Sequence, residues 1–446
     1  MLNRMASGAL VSLTKISPTL AGKAKGVAVD SRLLKEGDLF FALPGEKVDG
    51  HHYLDEVASK GAIAAVVSES YAGHSRLPLI RVKNPLALLQ ELAKEVLECS
   101  ALKIVAVTGS VGKTTTKGFI AHLASAKYLT ASSPGNSNSQ IGLPLAVLNH
   151  TSGDEELLIL EMGMTHAGQI ANLVSIAPPD IAVITAVELV HACNFEGLEQ
   201  IAESKAEIFS NPKTRYGILK KSIPLFDKIA GKIACDFHSF GTGDADYTIR
   251  NKNQTFAVLE NGVEIHQFDK LPVSGKHNLD NFLAAALVAK RLGMEWSEIS
   301  ERAKTLFLPP NRLQTIEKNG VLYINDSYNA APVSVKAAID SMPLPSSGKR
   351  RIAVLGSMLE LGKFSDDCHY EIGQYALDKI DRLFCLGVEC TPMQNCWNAA
   401  GRQVKLFLDR SELVEELKKT VMSGDVVLLK GSRPWNLWKI IEELPS

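Results

Sequence analysis

One stretch constrains the fold of this 446-residue chain more than any other. The apolar run at residues 103–108 is typical of a buried strand, a glycine loop follows it, and a helix-like segment comes next. This order predicts an α/β fold in which backbone N–H groups and a helix N-terminus hold phosphate oxygens. In that reading the lysine reaches the terminal phosphates and the following threonine places its hydroxyl on Mg²⁺. The predicted nucleotide-binding residues are Gly109, Ser110, Val111, Gly112, Lys113, Thr114 and Thr115.

The loop is a variant of the Walker pattern, because Val107 stands where the full pattern has another glycine. The alternative interpretation is a glycine-rich turn without a ligand, which begins a helix and carries an exposed lysine.

The rest of the chain divides into three segments with different patterns. Apolar runs at residues 157–161 and 181–185 continue the central segment and predict a mostly parallel sheet with crossover helices. Beyond residue 310, three strand-then-glycine repeats predict a second doubly wound, Rossmann-like unit. The segment before residue 100 reads as a small α/β unit that ends in a helix. We therefore predict three domains, at residues 1–100, 101–310 and 311–446.

Composition limits the classes of partner and the compartment. The 48 basic and 49 acidic residues leave a formal net charge of −1, which argues against a nucleic-acid surface. The seven cysteines are odd in number and form no Cys-x-x-Cys pair, so we expect neither a disulfide framework nor a zinc site. The N-terminus resembles no leader peptide, and no apolar run has the length of a membrane span. We expect a cytoplasmic protein without membrane insertion.

Three further residues are candidates for a metal site. Glu161 ends a very apolar strand, where a carboxylate without a cation would be costly, so we interpret it as a ligand of Mg²⁺ or of its water. The alternative is a carboxylate that caps a helix at the sheet edge. His191 lies in a loop and Lys205 in a helical stretch, and their patterns alone are more typical of a structural histidine and a surface lysine.

Six motifs, in order along the chain, resemble those of the Mur ligase family. Residues 108–116 resemble its shortened phosphate loop, 135–144 its Asn-rich loop, and 161–170 its acidic strand end with the following helix. Residues 277–285 resemble its adenine-side motif, and residues 312–314 with 326–330 complete the set. The sequence departs from the family pattern at Ser139, at Ser357 and in the run after His191, which affects substrate contacts rather than the ATP chemistry.

The resemblance implies a fold, a reaction and a site. Mur ligases have an N-terminal nucleotide-sugar domain, a central P-loop ATPase domain and a C-terminal Rossmann-like domain. They transfer the γ-phosphate of ATP to a carboxylate, and an amine then attacks the acyl phosphate. By resemblance Arg312 faces the transferred phosphate, Asn278 and Asn281 face adenine, and Asp326 faces the ribose. Two Mg²⁺ ions are implied, with Thr114, Glu161, His191 and a carbamylated Lys205 as ligands.

Within the family, the resemblance points to the member that adds D-alanyl-D-alanine to UDP-N-acetylmuramoyl-tripeptide for peptidoglycan synthesis. Residues 326–330, 356–362 with His369, and 430–433 carry it, with residues 28–32 and 49–51 at the N-terminus. The implied substrate-binding residues are Ser31, Arg32, Asp49, His51, Asn136 and Asn138. We expect a monomer that acts on these small molecules. The alternatives are another ligase of the superfamily, such as an earlier Mur ligase or folylpolyglutamate synthase, a P-loop kinase or regulatory ATPase, and an inactive binding protein.

Overall fold

The computed structural model describes residues 4–14, 16–45, 48–190, 192–252 and 255–444. Within these ranges the chain forms three β-sheets, and each sheet is the centre of one α/β domain. No helix in the described ranges has both the length and the apolar character needed to cross a membrane.

The N-terminal domain is a four-stranded parallel sheet in the order β1-β2-β3-β4. Its core continues into the central domain, because apolar side chains of both domains pack in one cluster. Across this boundary Asn149 accepts from the Val27 N–H and donates to its carbonyl, both at 2.9 Å, and so fixes the edge strand. The strands are β1 (Gly26–Ala28), β2 (Asp38–Phe41), β3 (Ala64–Ser68) and β4 (Leu79–Val82), and the helices are α1 (Arg4–Thr14), α2 (Pro18–Ala21), α3 (Leu54–Ser59) and α4 (Pro85–Glu98).

The central domain has a nine-stranded sheet in the order β13-β12-β11-β10-β9-β8-β5-β7-β6. The strands are β5 (Lys103–Thr108), β6 (Thr130–Ser132), β7 (Leu157–Glu161), β8 (Ile181–Ile184), β9 (Tyr216–Lys220), β10 (Asp236–Gly241), β11 (Tyr247–Lys252), β12 (Thr255–Glu260) and β13 (Val263–Phe268). The helices are α5 (Lys113–Ala124), α6 (Gly142–His150), α7 (Gln169–Ile176), α8 (Leu198–Ala206), α9 (Phe226–Ala230), α10 (Lys276–Arg291) and α11 (Trp296–Ala303). The predicted parallel sheet is confirmed, and β12 and β13 add an antiparallel edge that the sequence analysis missed.

The C-terminal domain has a six-stranded sheet in the order β14-β15-β19-β16-β17-β18. The strands are β14 (Gln314–Lys318), β15 (Val321–Asn325), β16 (Arg351–Gly356), β17 (Arg382–Leu386), β18 (Gln403–Phe407) and β19 (Val426–Lys430). Helices α12 (Pro332–Asp340), α13 (Ser365–Ala376) and α14 (Thr391–Ala399) cover one face, and α15 (Arg410–Thr420) and α16 (Lys439–Glu443) cover the other. The domain is doubly wound as predicted, with β14 and β15 as an antiparallel hairpin at one edge.

Candidate active site

The phosphate loop connects β5 to α5 and depends on two glycines. Gly109 has φ +149°, and a side chain there would collide with the Thr185 hydroxyl. Gly112 precedes α5 with φ +85°, in the left-handed region that favours glycine. At both glycines the loop backbone therefore lies directly against neighbouring residues. The N–H groups of the loop lie at the start of a 12-residue helix. This is the geometry of an anion site at a helix N-terminus.

The segment after β8 holds the loop from the other side. The Thr185 hydroxyl donates to the Val111 carbonyl at 2.6 Å. The Ser110 hydroxyl donates to the Glu188 carbonyl and accepts from the Glu188 N–H, both at 2.9 Å. Strands β5 and β8 are parallel neighbours, so their carboxyl ends meet at this edge of the sheet. The sequence analysis predicted the loop but not this support, which comes from the segment after a strand more than 70 residues further along the chain.

Lys113 folds back over the loop that precedes it. Its ammonium donates to the Gly109 carbonyl at 2.6 Å and to the Ser110 carbonyl at 3.2 Å. Burial lowers the pKa of this lysine, the negative charge of Glu161 opposes that shift, and the Arg312 guanidinium adds to it. Both the Glu161 carboxylate and the Arg312 guanidinium therefore act electrostatically on this ammonium, and the two cations would attract terminal phosphates.

Glu161 and Thr114 meet, as the metal-site prediction requires. Residues Val107 and Glu161 are paired across β5 and β7, which brings the strand end beside the phosphate loop. The Glu161 carboxylate is 1% exposed and accepts from the Thr114 hydroxyl at 2.8 Å and from the Asn138 amide at 2.7 Å. Two oxygen-bearing side chains therefore lie together next to the predicted phosphate position.

Lys117 is a site residue that the sequence analysis missed. It lies four residues after Lys113 on α5 and is 4% exposed. Its ammonium donates to the Ser133 carbonyl at 2.5 Å and to the Gly135 carbonyl at 2.7 Å, and it lies 3.8 Å from Glu161 Oε2. This buried cation compensates the Glu161 charge and ties the Asn-rich loop to the phosphate-loop helix. The sequence signal that could have identified Lys117 is its position on the otherwise apolar, inward face of α5.

The donor atoms at this site suit Mg²⁺. In the described ranges no group of three or more His, Cys, Asp or Glu side chains comes together that could hold a metal by itself. A carboxylate and a hydroxyl can hold Mg²⁺ when phosphate oxygens and water complete its shell, which is the usual arrangement for this ion. His191 lies outside the described residues.

Lys205 lies on α8 and is buried, with 5% exposure. Its ammonium makes no ion pair or hydrogen bond with any residue in the described ranges. Burial, together with the positive charge of Lys113, lowers the pKa of this lysine well below its usual value. The expectation of a surface lysine from pattern alone is therefore wrong. A buried amine without an acidic partner needs another explanation.

The linker into the C-terminal domain carries Arg312 between two residues with left-handed backbone. Asn311 has φ +59° and Leu313 has φ +48°, which is costly for a leucine. The Arg312 guanidinium lies 4.2 Å from the centre of the Tyr328 ring. Its charge lowers the pKa of both Lys113 and Lys117, after burial as the main cause, which is consistent with a position near the phosphate-loop helix.

Asp326 follows β15 and has both carboxylate oxygens occupied by the protein. Oδ2 lies 2.6 Å from the ammonium of Lys430, which is 2% exposed, and Oδ1 accepts from the Leu313 N–H at 3.1 Å. The carboxylate thus connects the linker to the sheet of the C-terminal domain. Contact with a ribose would require Asp326 to share or exchange these partners.

The two asparagines of the adenine-side motif point inward. Asn278 and Asn281 lie on the first turns of α10 and are 4% and 7% exposed. The Asn278 amide donates to the Ser274 carbonyl at 2.9 Å. In the Asn-rich loop, Asn138 contacts Glu161 whereas Asn136 is exposed.

The predicted nucleotide-sugar residues lie in a different domain from the phosphate loop. Ser31 and Arg32 follow β1, and Asp49 and His51 follow β2, at the carboxyl edge of the N-terminal sheet. The Arg32 side chain is 83% exposed and pairs at 2.6 Å with Asp30, and its guanidinium lowers the pKa of that carboxyl to about 2. Both ring nitrogens of His51 are occupied by the protein, at 2.6 Å by Asp49 and at 3.1 Å by the Ser68 N–H, so this ring shapes the loop.

Comparison with known proteins identifies the family. Residues 107–289 match the Mur ligase middle domain, residues 311–433 the Mur ligase glutamate ligase domain, and residues 23–96 the Mur ligase family catalytic domain. A protein of Bacillus subtilis (strain 168) named UDP-N-acetylmuramoyl-tripeptide–D-alanyl-D-alanine ligase is 33% identical over 437 residues, which cover 94% of this chain and 93% of that protein. The chain belongs to the Mur ligase family.

Further Mur ligases agree in sequence and in fold. A protein of the same name from Escherichia coli (strain K12) is 30% identical over 97% of this chain and 98% of its own length. A crystal structure of MurF from Acinetobacter baumannii superposes with a TM-score of 0.87 at 26% identity and covers 99% of each chain. MurF from Thermotoga maritima, solved in complex with ADP, superposes with a TM-score of 0.79 at 28% identity over 96% of this chain and 98% of that one. As a Mur ligase, this chain is an ATP-dependent ligase, and the three-domain prediction is confirmed.

Proposed function

We propose that this Mur ligase joins D-alanyl-D-alanine to UDP-N-acetylmuramoyl-tripeptide, using ATP, in peptidoglycan precursor synthesis. The relatives with this activity in their names match nearly the whole chain and not the ATPase domain alone. The observation that carries the chemistry is the contact between the phosphate-loop Thr114 and the buried Glu161 at the end of β7. A kinase or regulatory ATPase would explain the phosphate loop, but it would not explain full-length similarity to amide ligases.

The proposed reaction has two steps. The terminal carboxylate of the tripeptide attacks the γ-phosphorus of ATP, which forms an acyl phosphate and releases ADP. The amine of the dipeptide then attacks the acyl carbon, loses a proton, and expels phosphate as the amide bond forms. Phosphoryl transfer depends mainly on positioning and charge stabilisation, so the loop and its cations suffice without a protein nucleophile. In this proposal Lys113 and the loop N–H groups hold the phosphates, and Arg312 faces the group that is transferred.

The residues at Glu161 fit one Mg²⁺, with Thr114 as its second protein ligand. Bound Mg²⁺ would neutralise phosphate oxygens that otherwise repel the approaching carboxylate. A second Mg²⁺ would be held by His191 and a modified Lys205. Until metal and nucleotide bind, Lys117 and the Asn138 amide keep the Glu161 carboxylate in place.

The surroundings of Lys205 support its carbamylation. A protonated lysine would repel Mg²⁺, whereas a neutral amine reacts with CO₂ to give a carbamate anion and a proton. The neutral form is favoured because the side chain is buried, unpaired among the described residues, and near the charge of Lys113. The carbamate would supply oxygen ligands of the kind that Mg²⁺ prefers.

In this proposal each domain binds a different substrate. Residues 1–100 hold the uridine diphosphate end through Ser31 and Arg32, in a loop shaped by Asp49 and His51. Residues 101–310 hold ATP, with Asn278 and Asn281 on the adenine side, and Asn136 and Asn138 border the tripeptide. Residues 311–446 contribute Arg312 and Asp326 and receive the dipeptide. The cytoplasmic location and the monomeric state remain predictions.

Arg32→Ala is expected to raise the apparent KM for UDP-N-acetylmuramoyl-tripeptide about tenfold and to leave the KM for ATP nearly unchanged. The exposed guanidinium is available to a diphosphate and contributes little to the fold, since its one ion pair lies at the surface. Steady-state kinetics with each substrate varied in turn would measure both constants. Arg76→Ala is the matched control, because Arg76 is an exposed arginine at the opposite, amino edge of the same sheet. Equal changes in both KM values would count against a separate nucleotide-sugar domain.

A coupled assay of ADP release tests the ligase proposal against an ATPase. A ligase of this type should sustain the release of ADP and phosphate, in step with amide formation, only when both the tripeptide and the dipeptide are present. Without the dipeptide, the first step can release ADP once per enzyme but cannot turn over. ADP release at the full rate without the dipeptide, and with no amide formed, would favour the ATPase instead.

A further inference from the structure

The segment that follows β8 lies where the central and C-terminal domains meet. Leu189 packs both against an apolar cluster of the central domain and against one of the C-terminal domain. Further along the segment, the Cys193 N–H donates to the Glu360 carbonyl of the C-terminal domain at 3.1 Å. The residue before Leu189 is Glu188, whose backbone N–H and carbonyl both bond the Ser110 hydroxyl of the phosphate loop. Glu188 is therefore placed beside the phosphate loop and at the domain boundary.

The Glu188 side chain is half-buried, and its carboxylate makes no hydrogen bond or ion pair with the described residues. Burial raises the pKa of this carboxyl, and the positive charges of Lys220 and Lys336 oppose that shift. Lys220, on β9, already pairs with Asp280 at 2.9 Å. Lys336, on α12 of the C-terminal domain, already pairs with Glu371 at 2.5 Å. Because a buried carboxylate without a direct partner is costly, the site favours a cation that these described residues do not supply.

The proposed reaction brings a cationic group to this place. ATP, the uridine diphosphate and the peptide carboxylates are anions, which a carboxylate repels. D-alanyl-D-alanine enters with an ammonium, and its nitrogen must reach the acyl carbon that carries the transferred phosphate. That phosphate is delivered at the loop that contains Ser110, so the nitrogen has to come close to Glu188.

Mg²⁺ is the other cation of the reaction, and it fits this position less well. The oxygen ligands Thr114 and Glu161 meet at the end of β7, which lies on the opposite side of β5 from β8. The charges of Lys220 and Lys336, which act on Glu188, would also repel a dication more strongly than an ammonium.

We propose that Glu188 is a substrate-binding residue that holds the ammonium of D-alanyl-D-alanine beside the acyl phosphate. This inference rests on the proposed function and deepens it, because it names the residue that positions the attacking nitrogen. Hydrogen bonds between an ammonium and a carboxylate are stronger than neutral ones, so they hold the nitrogen in place before it loses its proton. Glu188 is then also a determinant of specificity, since an acceptor without an amino group gains nothing from the carboxylate.

The test uses Glu188→Gln, which removes the charge and keeps the shape of the side chain. The KM for D-alanyl-D-alanine should rise about tenfold or more, whereas the KM values for ATP and UDP-N-acetylmuramoyl-tripeptide should stay within about twofold of wild type. N-propionyl-D-alanine is the dipeptide with its amino group replaced by hydrogen, and it should inhibit the variant at least as well as the wild type. A merely structural role of Glu188 would weaken the dipeptide and this analogue together.

Glu199→Gln is the matched control, because Glu199 is an exposed glutamate of the same domain, on the first turn of α8. It should leave the three KM values and the inhibition constant of the analogue unchanged. The thermal unfolding midpoint of Glu188→Gln should equal or exceed that of the wild type, because the change removes a carboxylate that is partly buried without a direct partner.

Three results would overturn the inference while the wild type forms the amide. They are an unchanged KM for the dipeptide in Glu188→Gln, an equal weakening of N-propionyl-D-alanine, and a raised Mg²⁺ requirement, which would make Glu188 a metal ligand. Absence of the amide product from the wild type itself would instead contradict the proposed function, and with it the dipeptide as the group that Glu188 holds.

Discussion

Lys113→Ala is expected to lower kcat for ligation on the order of 10³-fold, which corresponds to about 4 kcal/mol of transition-state stabilisation. The Lys113 ammonium donates to the carbonyls of Gly109 and Ser110 in the phosphate loop, at the start of α5. Its charge is therefore placed where the β- and γ-phosphates of ATP would lie. The measurement is the single-turnover rate of amide formation at saturating ATP.

The fold should survive this change, because the hydrogen bonds of Lys113 are made to its own loop and not to the core. A thermal unfolding midpoint close to wild type would check that expectation. Lys127→Ala is the matched control, since Lys127 lies just after α5 and is exposed, with its ammonium donating to the Gly293 carbonyl. A folded Lys113→Ala protein that ligates at a near-wild-type rate would contradict the phosphate-loop assignment.

Lys205→Ala is expected to be nearly inactive, with a loss on the order of 10³-fold that short carboxylic acids partly reverse. The reason is that the carbamate, not the lysine, would be the ligand, so a free carboxylate can occupy the vacated space. Formate, acetate and propionate, added in turn, should restore part of the rate with an optimum set by the size of that space. Lys228→Ala is the control, because Lys228 is exposed and pairs with Glu203 of α8 at the surface.

The wild type offers a readout that does not depend on the variant. Depletion of CO₂ and bicarbonate should slow ligation, and their return should restore it. After incubation with carbon-13-labelled CO₂, a carbamate carbon resonance should appear in wild type and be absent in Lys205→Ala. A fully active Lys205→Ala enzyme, or rescue by neutral amides as well as by acids, would show that the mechanism does not use a carbamate at Lys205.

The sequence predicted those parts of the site that are local in the chain. The phosphate loop is one segment between a strand and a helix, so its glycines, Lys113 and Thr114 could be read directly. Glu161 could be predicted because a carboxylate at the end of an apolar strand requires a partner. Parallel β5 and β7 then bring Glu161 beside Thr114, and that contact follows from the sheet order, which the sequence left open.

The parts that could not be predicted depend on contacts between distant segments. Asn281 matches an adenine-side motif, but its orientation is set by Thr116 and Gly112 on another helix. Lys205 has the pattern of a surface lysine, and only the packing of α8 against the sheet shows that it is buried. His51 is a predicted substrate-binding residue, and its contacts with Asp49 and the Ser68 N–H could not be read from the sequence. The antiparallel strands β12 and β13 were missed although Asn261 and Gly262, a dipeptide typical of hairpin turns, connect them with φ +48° and +82°.

The central claim is an acyl phosphate formed on the tripeptide carboxylate, and isotope transfer tests it most directly. UDP-N-acetylmuramoyl-tripeptide labelled with oxygen-18 in its terminal carboxylate would be incubated with the enzyme, ATP and D-alanyl-D-alanine. Mass spectrometry would then measure the nucleotide product and the released phosphate. We predict a product whose mass is the sum of the two substrates less one oxygen-18 water, and one oxygen-18 atom in each phosphate released. An amide product with phosphate free of label would contradict the acyl phosphate, and release of phosphate without any amide would contradict the ligase itself.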